Sequence, residues 1–174
     1  MKNELKKISK ALSYILRHKP EKFNIKLDKN GWAKVDEILD RLETNKELLI
    51  EVVETNDKKR FAFNEDMTSI RASQGHSIDV DVELKKCVPP FTLYHGTKKQ
   101  FVDTIKKDGL KSMNRQYVHL SKDTETAEIV AGRRSGDDVI LEIQARAMYA
   151  DNVDIYLSEN GVYLVKDVDA KYIS

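Results

Sequence analysis

The sequence predicts an α+β protein built from two lobes. Apolar residues recur at helical spacing in three segments of the first half, and a short hairpin pattern follows them. A Pro89-Pro90 pair then opens a second half in which strand-like runs are interspersed with shorter helical ones. A length of 174 residues suits one large domain or two small ones.

The first segment places Leu5, Ile8, Leu12, Ile15 and Leu16 on one stripe of a helix. Lys6, Lys10 and Arg17 fall on the opposite side and His18 on a flank, so this helix buries one face and offers a basic one. Asn30-Gly31 marks a turn, and Val35, Ile38, Leu39 and Leu42 give a second helix. "NKELLIEVVETN" reads as a third. "KRFAFNEDMTSIRAS" reads as two strands around Asn64-Glu65-Asp66. Three helices followed by a hairpin is the outline of a winged helix, which serves nucleic-acid and protein partners alike. "CVPPF", residues 87–91, is a stiff extended stretch and sets the expected boundary, giving lobes 1–86 and 87–174. In the second lobe, FTLYHGT, QYVHLS, DVILEIQA, VDIYLS and GVYLVK are strand-like, whereas KKQFVDTIKKDG and DTETAEIVAG are helix-like.

Bulk properties exclude several classes. No apolar run approaches the roughly 20 residues needed to span a bilayer. The N-terminus has no secretory apolar region, so a cytoplasmic, membrane-free protein is expected. Cys87 is the only cysteine, which rules out intramolecular disulfides and cysteine-based zinc sites. The four histidines, at 18, 76, 95 and 119, show no metal-ligand spacing, so no metal is expected. Net charge is +1; residues 1–86 hold 18 basic and 16 acidic side chains, residues 87–174 hold 12 and 13. Any phosphate binding must therefore be local rather than a property of overall charge.

Two stretches carry candidate chemistry. In "LSYILRHKP" the pair Arg17-His18 ends a helix ahead of Pro20, either as punctuation or as a phosphate-handling pair. In "LYHGTKKQFVDTIKKDGLKSMNRQYVHLS" a strand runs into His95-Gly96-Thr97, a helix ends at Gly109, and a strand reaches His119-Leu120-Ser121. Gly96 allows close backbone approach, Thr97 can donate or cap, and His95 and His119 can bond ribose hydroxyls or stack on a ring. The alternative is a turn with a helix cap and a satisfied strand histidine. Trp32 reads as core rather than as a stacking platform.

In order along the chain, "KALSYILRH" (10–18), "NDKKRF" (56–61), "RASQGHS" (71–77), "LYHGT" (93–97), "GLKSMNRQYVHLS" (109–121), "VAGRRSGDDVILEI" (130–143) and "ENGVYLV" (159–165) resemble the RNA 2′-phosphotransferases, often called tRNA 2′-phosphotransferases. These are a branch of the ADP-ribosyltransferases. One departure is Tyr117, where the family often has a histidine. The resemblance implies a winged-helix-like RNA-binding lobe, an ADP-ribosyltransferase-like NAD-binding lobe, and an active site between them. It implies NAD consumed as co-substrate, RNA carrying an internal 2′-phosphate (a tRNA splice junction) as partner, and a monomer. It carries a catalytic Arg-His-Arg-Arg set onto Arg17, His18, Arg60 and Arg115. NAD contacts are expected from His95, Gly96, Thr97, His119, Leu120, Ser121, Gly132 and Arg133. Substrate contacts are expected from Gln74, His76, Ser77 and Arg134. Gln74–Ser77 could equally be structural support, and Arg133-Arg134 an exposed helix end.

Three rival functions share parts of this pattern. An enzyme that caps a terminal phosphate with ADP-ribose would use the same clamp. A DNA-binding winged-helix regulator would need a basic recognition helix, and "NKELLIEVVETN" is acidic. An ADP-ribosyltransferase acting on protein side chains would need a carboxylate near the nicotinamide ribose.

Overall fold

The computed structural model describes residues 2–174. Among them are six α-helices and several small antiparallel sheets. The chain divides into two compact units, one ending at Glu83 and the other running from Leu84 to Ser174.

The first unit opens with α1 (Lys2–Arg17), followed by a 3₁₀ turn at Pro20–Phe23. β1 (Ala33–Lys34) leads directly into α2 (Val35–Arg41), and α3 (Lys46–Thr55) follows. The Asn45 side chain caps α3 by accepting from the Leu48 N–H at 2.9 Å. β2 (Phe61–Phe63) and β3 (Ser69–Ala72) form the hairpin, its turn organised by Asn64 Oδ1, which accepts from the N–H groups of Thr68 and Ser69. β1 pairs with β3, giving the order β1-β3-β2. Ile8, Leu12, Ile15 and Leu16 of α1 close the core with Ile38, Leu49, Val52, Phe61 and Ile70.

One expectation about α1 needs correction. Lys6 and Lys10 are exposed, but Arg17 is buried, at 8%. Residues 73–77 fold back across the end of the helix, and the Ser77 N–H donates to the Arg17 carbonyl at 2.9 Å. Helical periodicity assigns Arg17 to the far side from the core, but at the last turn the chain around Ser77 meets the helix end, while Lys6 and Lys10 stay exposed.

The second unit contains β4 (Lys85–Lys86), β5 (Leu93–Lys98), α4 (Lys99–Asp108), β6 (Leu110–Lys111), β7 (Val118–Leu120), α5 (Thr124–Ala131), β8 (Asp138–Ile143), α6 (Ala145–Ala150), β9 (Tyr156–Leu157), β10 (Tyr163–Val165) and β11 (Asp167–Val168). β5 pairs with β8, β6 with β11, and β4-β9-β10-β7 form a four-stranded sheet. A further bridge between Tyr94 and Ser121 links β5 to the chain just after β7. Leu93, Leu120, Leu141, Ile143, Met148 and Ile155 build its core. Gly109 ends α4 at φ +81, where a Cβ would also strike the Val168 carbonyl.

The 87–91 stretch is not a bare connector. The Cys87 N–H bonds the Ile155 carbonyl at 2.9 Å, Arg146 Nε donates to the Pro89 carbonyl at 2.9 Å, and the Arg146 guanidinium lies 4.5 Å from the Phe91 ring centroid. The two units divide three residues earlier than the expected boundary, because Lys85-Lys86 pair with Tyr156-Leu157 of the second unit. No helix among the described residues is long and apolar enough to cross a membrane.

Candidate active site

Each unit gathers a cluster of the predicted residues. In the first, α1 delivers Arg17 and His18 at its C-terminal end, and the chain beyond β3 returns there with Gln74, His76 and Ser77. His18 Nδ1 lies 2.8 Å from Ser77 Oγ. The Ser77 hydroxyl is also directed at the Arg17 carbonyl, 3.4 Å away. Spending its one proton there leaves Oγ to accept from Nδ1–H, which orients the ring. The positioning role of Ser77 is invisible to local sequence analysis, because the partners are 59 residues apart.

Arg60 is held by its backbone. Its carbonyl accepts from the Ser73 N–H at 2.8 Å, and its N–H reaches Asn56 Oδ1 at 3.3 Å. Asn56 thereby shapes the basic turn from Lys58 to Arg60 and sets Arg60 opposite the start of the 73–77 segment.

His76 is the most buried polar residue of the cluster, 2% exposed. Its pKa falls from an ordinary 6.5 to about 4, first because burial disfavours the imidazolium, then because Arg17, His18 and Arg71 repel a further positive charge. Arg71, missed in the sequence, is itself buried and stacks 4.4 Å from the Trp32 ring centroid. Its position between two strand-core residues, Ile70 and Ala72, was the available signal. Trp32 is only half-buried and serves as the floor for this guanidinium.

A stability prediction follows from His76. The unfolded chain binds its proton more readily, so the contribution is fully present above pH 6.5 and is lost as pH falls towards 4. A shift of that size corresponds to ~3 kcal/mol. His76→Gln should flatten the acid side of the urea-midpoint profile, and an unchanged profile would show that His76 does not titrate this way.

In the second unit, β5 and β7 bring His95 and His119 together. His95 Nδ1 donates to the His119 carbonyl at 3.1 Å, which leaves Nε2 as an acceptor. Burial outweighs that hydrogen bond and lowers the His95 pKa, favouring the neutral ring. Arg115 Nη1 lies 3.3 Å from His119 Nδ1, so the loop arginine and the strand histidine form one unit. Ser121 sits alongside, its backbone paired with Tyr94 at 2.8 and 2.9 Å.

Other expectations in this unit change. Gly96 is a paired residue within β5, opposite Ile140. A Cβ there would fall far inside the 3.0 Å that real Cβ atoms keep from other atoms, against the Ala127 carbonyl of α5. Helix packing therefore accounts for this glycine. Thr97 pairs with Val139 and does not cap α4, whose N-cap is Lys98 without a side-chain bond. The Leu120 side chain is core, 1% exposed, so only its backbone can face a ligand. Gly132 ends α5 in ordinary helical geometry, and Arg133 and Arg134 are exposed beyond it. Buried Lys98 ties down their loop: Nζ donates to the Gly136 carbonyl at 3.0 Å and pairs with the Asp138 carboxylate.

Among the described residues no group of His, Cys, Asp or Glu could hold a metal ion. A surface cavity of about 370 Å³ in the second unit, lined by Lys107, Lys111, Met148, Asp167 and Tyr172 among others, includes none of the predicted site residues.

Known proteins share this sequence over most of its length. Residues 3–167 match the RNA 2′-phosphotransferase, Tpt1 / KptA family. A protein of Fusobacterium nucleatum named probable RNA 2′-phosphotransferase is 52% identical over 178 residues, covering 99% of each chain. One of the same name from Flavobacterium johnsoniae is 53% identical over 176 residues, covering 98% of this chain and 96% of its own. A third, from Burkholderia pseudomallei, is 49% identical over 95% of this chain and 92% of its own. With the match spanning nearly its whole length, this chain belongs to the RNA 2′-phosphotransferase family, a family of transferases.

Proposed function

We propose that the protein removes an internal 2′-phosphate from RNA, with spliced tRNA as the candidate substrate, and that it consumes NAD in doing so. Family membership supports the phosphate removal. The observation that carries the reading is the gathering of buried Arg17 and Arg71, with His18, around buried His76, whose pKa is held well below its ordinary value first by burial and then by these neighbouring charges. Such a concentration of fixed positive charge suits a phosphate dianion, and guanidinium forks match phosphoryl oxygens bidentately.

The second cluster fits a nucleotide co-substrate. Neutral His95 offers an acceptor at Nε2 for a ribose hydroxyl, and Arg115 beside His119 offers a donor for phosphate oxygen. His95, Gly96, Thr97, His119, Leu120 (through its backbone), Ser121, Gly132 and Arg133 are the proposed NAD contacts. Gln74, His76, Ser77 and Arg134 are the proposed RNA contacts.

In the proposed reaction the RNA 2′-phosphate, already anionic and nucleophilic, displaces nicotinamide from C1″ of NAD and needs no general base. The RNA 2′-oxygen then leaves phosphorus as the ribose 2″-oxygen takes its place. The products are 2′-hydroxyl RNA and ADP-ribose 1″,2″-cyclic phosphate. Arg17, Arg60 and Arg115 stabilise the charge spread over the phosphoryl oxygens, and His18, oriented by Ser77, handles the proton of the second step. Nicotinamide release, measured with an RNA bearing one internal 2′-phosphate and with the same RNA lacking it, should depend on that phosphate. Phosphate loss at equal rate without NAD would contradict the proposal.

A further inference from the structure

Lys2, Lys6, Lys10 and Tyr14 stand four residues apart along α1, and His18 follows at the same interval immediately beyond its end. Side chains at this spacing are neighbours, about 5–6 Å apart at Cβ, and form a continuous inclined ridge on a helix. The three lysines are exposed, and Lys7 is exposed beside them. Among the described residues no carboxylate lies within ion-pair distance of any of these four lysines. Like charges four residues apart destabilise a helix, so the ridge bears a cost that no local partner offsets. Glu4 is the only acidic residue in α1 and lies off the ridge. Tyr14, 39% exposed, occupies the step between Lys10 and His18, with its ring edge-on to Phe23 and 6.0 Å from Lys22 Nζ.

We infer that this ridge is the track for the single-stranded RNA flanking the 2′-phosphate. Its lysines follow successive backbone phosphates, and the Tyr14 ring offers a stacking face one helical turn before His18. A file of cations with an interposed aromatic is what a single strand requires, because charge follows the backbone and any base can stack. The inference rests on the proposed function for the position of the 2′-phosphate at His18, and it adds the path of the strand.

The test compares the parent protein with K6Q/K10Q on two RNAs, each with one internal 2′-phosphate: a dinucleotide, and a longer strand extended on both sides. For the long strand we expect the double variant to bind roughly three- to tenfold more weakly, and its log-affinity against log-salt slope to fall in magnitude by about 1.4, close to 0.7 for each phosphate no longer neutralised. Dinucleotide turnover and the unfolding midpoint should not move. Equal affinity and slope on the long strand would overturn the track, as would an equal loss on the dinucleotide. Binding is read by fluorescence anisotropy, independently of turnover. A parent protein that binds the long strand with the larger slope yet leaves its phosphate in place would therefore support the track and count against the proposed function.

Discussion

Arg17→Ala should lower turnover of 2′-phosphorylated RNA by about 10²–10³-fold, the usual loss when one fixed donor to a charged transition state is removed. The effect should appear mainly in kcat, since the guanidinium is asked to meet charge that spreads during phosphoryl transfer. Arg17 is also buried beneath residues 73–77, so truncation removes packing as well as charge. Arg17→Lys separates the two contributions. It keeps the charge and most of the stem but loses the planar fork, and it should recover stability without recovering most of the rate. An Arg17→Lys enzyme with near-parental kcat would remove Arg17 from the clamp.

Gly96→Ala should cost about 3 kcal/mol, the upper range for forcing an extra carbon into a packed interior. The new Cβ has no room: the Ala127 carbonyl occupies its place, and Ala131 Cβ is 3.0 Å away. Relief requires α5 to lift from β5, against buried Ala127 and Ala131. For a chain of this size, thermal unfolding should shift down by roughly 6–12 °C. Because α5 ends at the Arg133-Arg134 loop, the variant should also bind NAD more weakly under the proposed function. A midpoint within a degree or so of the parent would show that the helix yields freely, and that close packing is not what requires a glycine.

The sequence made the elements with strong periods legible, and those that depend on distant partners illegible. The stripes of α1 and α2, the 61–72 hairpin and the Gly109 stop are all local signals. β1, β4, β6 and β11 are two residues each, too short for an alternation to register; pairings with distant strands define them. "ARAMYA" folds as α6, although a single turn and a half gives no period to count. The candidate site divides in the same way. Quoted motifs nominate Arg17, His18, Arg60 and Arg115 one at a time. The burial of Arg17 and the hold of Ser77 on His18 arise only when the chain beyond β3 returns to α1, and the stacking of Arg71 on Trp32 only when β3 pairs with β1. For Gly96 the residue type signals a tight approach, and the neighbour that the structure shows there is the Ala127 carbonyl of α5, which no local pattern names.

The fate of the phosphorus atom tests the central claim most directly. An RNA with a single labelled internal 2′-phosphate is incubated with the protein and NAD, and the label is followed. The proposed reaction places it in ADP-ribose 1″,2″-cyclic phosphate and leaves RNA with a free 2′-hydroxyl. Label recovered as inorganic phosphate with NAD intact, or retained on RNA that has gained ADP-ribose, would contradict the account.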